Sequence, residues 1–251
     1  MTPVIWWAMG LGVLGAIIGS FIAALAIRWP EGRSVIRGRS ACDACGRTLS
    51  ARDLVPFVSA LLLRGQCRTC GARIDPRHWQ IEASAALIGA LACVAADGPV
   101  ALAGAVFGWL LLALAALDVV ALWLPDRLTY SLGATGIVAG CVGVEPALVE
   151  RAIGGAAGFA ALWLIAAGYR RLRGHDGMGG GDPKLFGAIG LWLGWRILPA
   201  VLLIASLVGL ALVGVAMLRG RTLARDTPLP FGALLAVAAY PAWLAMIASQ
   251  P

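Results

Sequence analysis

Residues 197–218 read ILPAVLLIASLVGLALVGVAML and are bracketed by Arg196 and Arg219. No charge interrupts the run, which reaches the roughly 20 residues a helix needs to cross a hydrocarbon core. Further uncharged runs occur at 1–27, 98–117, 128–144, 152–169 and 227–250. Of the 251 residues, 60% are hydrophobic and 13% charged, about half the charge of a soluble domain. The pattern specifies an all-α polytopic membrane protein. Residues 1–27 lack a basic n-region and an Ala-x-Ala cleavage site, and arginines follow them. They read as a retained first span and not as a removed signal peptide.

About eight transmembrane helices are expected, at 4–27, 81–97, 99–117, 127–144, 149–169, 184–196, 197–218 and 228–248. The sixth is short, with 11 residues between Lys184 and Arg196, or about 17 Å of helix. The second is also short: 14 residues separate Glu82 from Asp97, which puts Glu82 at headgroup depth. The chain divides into a first transmembrane helix (1–27), a polar insert (28–80) and a seven-helix membrane core (81–251).

The net charge of +7 describes topology and not a nucleic-acid partner, since ten of the 20 Lys/Arg lie between Arg28 and Arg77. With residues 28–80 in the cytoplasm, 18 of the 20 fall inside, and only Arg151 and Arg196 outside. This agrees with the positive-inside rule. The basic insert is then expected to meet anionic headgroups of the lipid bilayer.

The same topology puts two aspartates at one boundary. Asp118 ends a span running inward, and Asp182 begins one running outward, behind Gly177, Gly179, Gly180 and Gly181. Two carboxyls at one site suit peptide hydrolysis: the ionised one activates water, and the protonated one polarises the carbonyl and later protonates the leaving amine. Glycines permit positive φ and close approach of a substrate backbone, which could dock as an added strand. Asp182 followed by Pro183 also fits an N-cap and first helical position, so the segment alone equally describes a capped helix start. Asp118 alone reads as an interfacial helix end. A proton or ion relay would use similar residues, but both aspartates lie at one face and not mid-span.

In the knuckles Cys42-x-x-Cys45-Gly46 and Cys67-x-x-Cys70-Gly71, 21 residues separate Cys45 from Cys67. This is the spacing of a structural tetrathiolate Zn2+ site, with a redox pair as the alternative. A reducing cytoplasm argues against disulfides, and nearby arginines are expected to favour the thiolates. The insert has too few large apolar residues for a core of its own, so a metal staple fits. Cys93 and Cys141 read as small packing residues. His78 reads as interfacial and His175 as a solvated loop residue. Trp6, Trp7, Trp29, Trp79, Trp123 and Trp195 fit an aromatic belt, and Gly154, Gly155 and Gly158 fit helix packing.

In order and topology these features resemble the bacterial prepilin peptidases, the type IV prepilin-like leader peptidases of the Gly-x-Gly-Asp aspartyl class. Gly19-Ser20-Phe21 with Arg28 and Pro30 resembles the family's first-span signature. The two knuckles resemble its cytoplasmic domain, and Glu82 its glutamate at the next span. Asp118 with Leu124-Pro125-Asp126 resembles the first aspartate motif. Residues 177–182 with Lys184-Leu185 resemble the second, and Pro230-Phe231-Gly232 the last-span motif. Ala23, Ile27 and Pro183 depart from the family's frequent Asn, His and apolar residues at those positions.

The resemblance implies a membrane aspartyl endopeptidase of the bacterial inner membrane, with Asp118 and Asp182 catalytic. Gly177, Gly179, Gly181, Lys184, Glu82 and Asp126 are then substrate-binding or motif residues. Its substrates would be type IV prepilins or type II secretion pseudopilins, cut on the cytoplasmic side after Gly. It also implies N-methylation of the new N-terminus from S-adenosylmethionine. The alternative is a non-catalytic zinc-bearing assembly factor of a secretion or pilus system.

Overall fold

The computed structural model describes residues 3–35, 40–42, 44–54, 56, 63–175, 177–220 and 228–249. Arg37, Arg39, Arg221 and Arg225, counted above in the charge asymmetry, lie outside the described residues. Helices occupy all eight expected positions: α1 Pro3–Arg28, α2 Arg77–Ala95, α3 Gly98–Ala121, α4 Asp126–Cys141, α5 Leu148–Arg173, α6 Asp182–Leu193, α7 Leu198–Leu218 and α8 Phe231–Ala248. Six are long and apolar enough to cross a bilayer. The other two, α4 with 16 residues and α6 with 12, are shorter. The described residues contain no strand, only two isolated antiparallel bridges.

The chain forms two compact units, residues 1–116 and 117–251, with α3 continuous across the division. In the first unit α1 packs along α2. Small residues allow this: a Cβ on Gly15 would run into the Ala85 carbonyl, and one on Gly89 into that of Leu11. Without a hydrophobic drive between helices in lipid, such close backbone contact supplies the association energy. Trp109 of α3 donates its Nε1–H to the Ala85 carbonyl at 2.9 Å.

In the second unit the short α6 is the centre. Ten of its twelve residues are buried, and α4, α5, α7 and α8 all pack against it. Gly154 of α5 and Gly190 of α6 face each other so closely that a Cβ on either would overlap the other's carbonyl. Gly155 and Gly158 also lie at this interface, as helix-packing glycines should. By contrast α7 exposes Leu203, Leu207, Leu210 and Leu218, an apolar surface suited to lipid.

Arg151, expected on the outer side of the membrane, is 1% exposed. Its guanidinium donates to five carbonyls at 2.8–3.0 Å: Gly136 of α4, Leu191 of α6, and Val144, Glu145 and Pro146 of the connecting loop. The Leu191 carbonyl, in the last turn of α6, lacks an intrahelical partner and carries partial negative charge. One buried cation serves two helices and the loop. Gly140 leaves room for it, since a Cβ there would lie 2.8 Å from Arg151 Cδ.

Candidate functional site: a dicarboxylate cavity

Asp118 lies near the end of α3, where the helix gives way to a sharp turn. Leu122 takes a left-handed conformation (φ +51°), a geometry that costs a non-glycine residue about 1–2 kcal/mol. The reversal delivers Leu124, whose side chain packs against two bare backbones. A Cβ on Gly181 would lie 2.8 Å from Leu124 Cβ, and one on Gly232 would lie 2.8 Å from Leu124 Cδ1. Leu124 therefore bridges the loop that carries Asp182 and the start of α8. The Asp118 Oδ2 accepts the Ala233 N–H at 2.8 Å, using one of the unpaired amides at the α8 N-terminus.

Asp182 is the first residue of α6, behind Gly181 at the cap position. This shifts by one residue the expected arrangement of Asp at the cap and Pro at the first turn position. Its side chain lines a cavity. The Asp182 N–H donates to the Gly179 carbonyl at 3.2 Å.

Asp118 and Asp182 are each 5% exposed and line one cavity of about 950 Å³. Gly177, Gly179, Gly180 and Gly181 form one wall, with Trp123, Leu229 and Phe231 adding apolar surface. Of the two uses expected of these glycines, positive φ is not made, since none of the four has it. Crowding replaces it at three of them: a Cβ on Gly177 would enter the Tyr169 ring, one on Gly179 would lie 3.3 Å from Asp182 Oδ2, and one on Gly181 would meet Leu124, while Gly180 has open space there.

Asp126 and Lys184 meet in an exposed ion pair of 2.7 Å, tying the first turn of α4 to that of α6. Glu82 belongs to the first unit, where it is buried and lines a different cavity. His175, read as a solvated loop residue and exposed as such, packs edge-on against Tyr169, which the sequence reading passed over, with centroids 5.5 Å apart, and both line the aspartate cavity. Proximity to the Gly-rich loop was the only signal for His175, and Tyr169 had none.

The cysteines form a second, self-contained site. All four Sγ atoms of Cys42, Cys45, Cys67 and Cys70 lie within 4.8 Å of one another. Tetrahedral zinc with bonds near 2.3 Å demands sulfur separations of about 3.8 Å. The Cys42–Cys70 separation is 3.9 Å, so the donor set fits a zinc-sized ion. The knuckles repeat one backbone pattern. Cys42 N–H bonds to Arg47 and Gly46 N–H to Cys42, just as Cys67 N–H bonds to Ala72 and Gly71 N–H to Cys67. The N–H groups of Cys70 and Thr69 pull the Cys67 thiol down to about 6. Backbone amides, and not the anticipated arginines, favour its thiolate. Cys93 is buried as expected, but Cys141 is exposed.

Fold and site together define a class: a polytopic helical membrane protein in which two buried carboxyls from different helices share a glycine-walled cavity. Comparison with known proteins narrows it. Residues 105–214 match the type IV leader peptidase family, and residues 13–96 match the bacterial peptidase A24 N-terminal domain. The chain is 39% identical over 210 residues to a prepilin leader peptidase/N-methyltransferase of Aeromonas hydrophila, covering 83% of this chain and 71% of that protein. A protein of the same description from Burkholderia pseudomallei is 39% identical over 252 residues, covering 89% of this chain and 81% of the relative. One from Pseudomonas aeruginosa is 34% identical over 259 residues, covering 94% and 88%. No solved structure matches the chain. The chain belongs to the type IV leader peptidase family, and is a multi-pass membrane peptidase.

Proposed function

We propose that the chain is an aspartic endopeptidase that removes the leader peptides of type IV prepilins or type II secretion pseudopilins. In this reading it cuts after Gly at the cytoplasmic face and N-methylates the new terminus from S-adenosylmethionine. The observation that carries the peptidase half is the pairing of Asp118 and Asp182, buried on one cavity. The methylation half is supported by its relatives, which are prepilin leader peptidase/N-methyltransferases. Placement at the cytoplasmic face is supported by the arginine asymmetry.

The chemistry follows from the pair. The ionised carboxyl takes a proton from water as the water oxygen attacks the scissile carbonyl carbon. The protonated carboxyl donates to the carbonyl oxygen. As the C–N bond breaks, the proton taken from water passes to the leaving nitrogen and a hydroxyl proton of the tetrahedral intermediate returns to the other carboxyl, so both regain their starting forms. The Ala233 N–H on Asp118 Oδ2 fixes that carboxyl's orientation. The side-chain-free wall beside Asp182 leaves space for an extended substrate backbone. Cys42, Cys45, Cys67 and Cys70 hold a structural Zn2+, since four thiolates leave no open position for water.

The test is incubation of the purified protein with a prepilin, followed by mass spectrometry of the product N-terminus. The expected product is cut after Gly and heavier by one methyl group when S-adenosylmethionine is present. Asp118→Asn and Asp182→Asn should each leave the substrate whole while the variant remains folded and membrane-inserted. Cleavage by either variant at the wild-type rate would sink the peptidase assignment.

A further inference from the structure

A tetrathiolate metal site needs four sulfurs at one point, and the chain supplies them in two pairs, with 21 residues between Cys45 and Cys67. Each knuckle closes on itself: the Cys42 N–H bonds to the Arg47 carbonyl, and the Cys67 N–H to that of Ala72. Those bonds shape each pair of cysteines. They do not set where one pair lies relative to the other. A buried carboxylate outside the ligand set makes that link.

Asp53 stands in a short 3₁₀ turn, Ala51–Leu54, and its side chain is 5% exposed. Ser50 fixes it first, donating its N–H and its hydroxyl to Oδ2 at 3.0 and 2.8 Å. Held in this way, the carboxylate takes one arginine from each knuckle. Arg47, two residues after Cys45, donates to Oδ2 at 2.9 Å. Arg68, directly after Cys67, brings its Nε to 3.3 Å from Oδ1 as an ion pair. Arg47 then crosses to the other knuckle and donates to the Thr69 hydroxyl at 2.6 Å. Both residues inside the second Cys-x-x-Cys are thereby gripped, Arg68 by Asp53 and Thr69 by Arg47. The grip reaches a ligand, because the N–H groups of Thr69 and Cys70 bond the Cys67 sulfur. The side chains of Arg47 and Arg68 are 31% and 49% exposed, so the pairing energies themselves are small. What the carboxylate supplies is geometry.

We infer that Asp53 is a positioning residue of the metal centre: through Arg47 and Arg68 it clamps the two knuckles in the register that brings Cys42, Cys45, Cys67 and Cys70 to one ion. The inference rests on the structural Zn2+ of the proposed function. Without the clamp the ion has to order the knuckles itself, and part of its binding free energy is lost to that ordering. A carboxylate that merely closed the Ser50 turn would act independently of Arg47, so a double-mutant cycle separates the two roles.

The experiment follows zinc transfer from the full-length, zinc-loaded protein in detergent to a chromophoric chelator. Asp53→Asn keeps the shape of the side chain and an acceptor for Ser50 but removes the charge that gathers the arginines. It should release zinc about tenfold faster or more, the scale for groups that hold metal ligands in place. Asp75→Asn is the control: it removes a carboxylate bonded to Arg77 of its own turn and should release zinc at the wild-type rate. In an Arg47→Met background, Asp53→Asn should add little. Helix melting followed by circular dichroism should not move. Unchanged release from Asp53→Asn, equal acceleration by Asp75→Asn, or full additivity with Arg47→Met would each overturn the clamp. If Asp53→Asn holds no zinc while its helices melt as in wild type, the clamp stands. If its helices weaken too, Arg68→Gln decides: faster release supports the clamp and wild-type release overturns it. Wild type purified without zinc, its cysteines reduced, would sink the metal centre and the clamp with it, a result distinct from a loaded wild type and an indifferent Asn variant.

Discussion

The glycines of the cysteine knuckles and those of the aspartate cavity do opposite jobs. Gly46 and Gly71 both sit at φ +69° with nothing within 4 Å of where a Cβ would be. They are needed for backbone conformation alone. Gly177 and Gly181 have no such φ, yet a Cβ on either would strike Tyr169 or Leu124. They are needed because the space is taken. The first kind of site is local: each knuckle closes on itself through hydrogen bonds spanning a few residues. The second kind is assembled from α3, α6 and α8, and exists only if those helices pack.

The sharpest way to break this contrast is at the assembled site's chemistry. Asp118→Asn and Asp182→Asn should each lower the cleavage rate by about 10²–10⁴-fold, the range for loss of a general acid or base. Groups that act as a unit are non-additive, so the double variant should be little worse than either single. Single-turnover rates on a prepilin decide this. A double variant slower by the product of the two factors would show two independent groups. All three variants should retain wild-type zinc, because the knuckles take nothing from either aspartate.

The next largest effect is structural. Arg151→Met leaves five carbonyls without their donor, and broken buried charge networks cost about 3–5 kcal/mol. Thermal unfolding followed by circular dichroism should show a large fall in Tm, with cleavage falling in step as α4 and α6 lose their common anchor. The knuckles should keep their metal, so zinc measured at a temperature that melts only the helices separates the two regions.

This division matches what could be read from residues alone. The knuckles were fully legible, since ligand identity and spacing are both local properties. The helices were legible because apolar runs between charges specify length. Within the aspartate site, Asp118 and Asp182 stood out by type and by their place at the ends of runs. Their meeting in one cavity needed the tertiary packing of α6. The parts that went unread are the ones that act across elements. Tyr169 looks like any aromatic near a helix end. Leu124 looks like loop hydrophobicity until Gly181 and Gly232 are seen on either side of it. Arg151 was counted only for the side of the membrane it lies on, and a sequence does not reveal five carbonyls converging on one side chain. The positive φ expected of the glycines failed for the same reason: φ preference belongs to the residue, but crowding belongs to its neighbours.

A direct test sets the two kinds of glycine against each other. Gly181→Ala should slow cleavage by about tenfold, an amount that a displacement of catalytic geometry by a fraction of an ångström produces readily. Trimming the obstacle in Gly181→Ala/Leu124→Ala should recover part of the loss. Gly71→Ala should cost about 1–2 kcal/mol of local stability, read as weaker zinc retention against a chelator. No trimming of a neighbour should rescue it, because nothing is in the way. Rescue in the knuckle, or failure of rescue at Leu124, would overturn the distinction between conformational and steric glycines.

The smallest effect is expected at the most conspicuous polar contact of the assembled site. The Lys184–Asp126 pair is short, at 2.7 Å, but its side chains are 36% and 51% exposed. Such pairs are screened by water and salt, and contribute about 0–1 kcal/mol. Lys184→Ala should therefore shift Tm by only a degree or two, given that about 1 kcal/mol moves a domain of this size by 2–4 °C. It should leave the cleavage rate within a few-fold of wild type. The pair joins α4 to α6 across the same two helices that Arg151 joins from the other end, so the two variants compare an exposed tie with a buried one. If Lys184→Ala instead lowers cleavage as much as the aspartate variants while Tm holds, its ammonium does more than tie helices: it holds substrate at the cavity mouth.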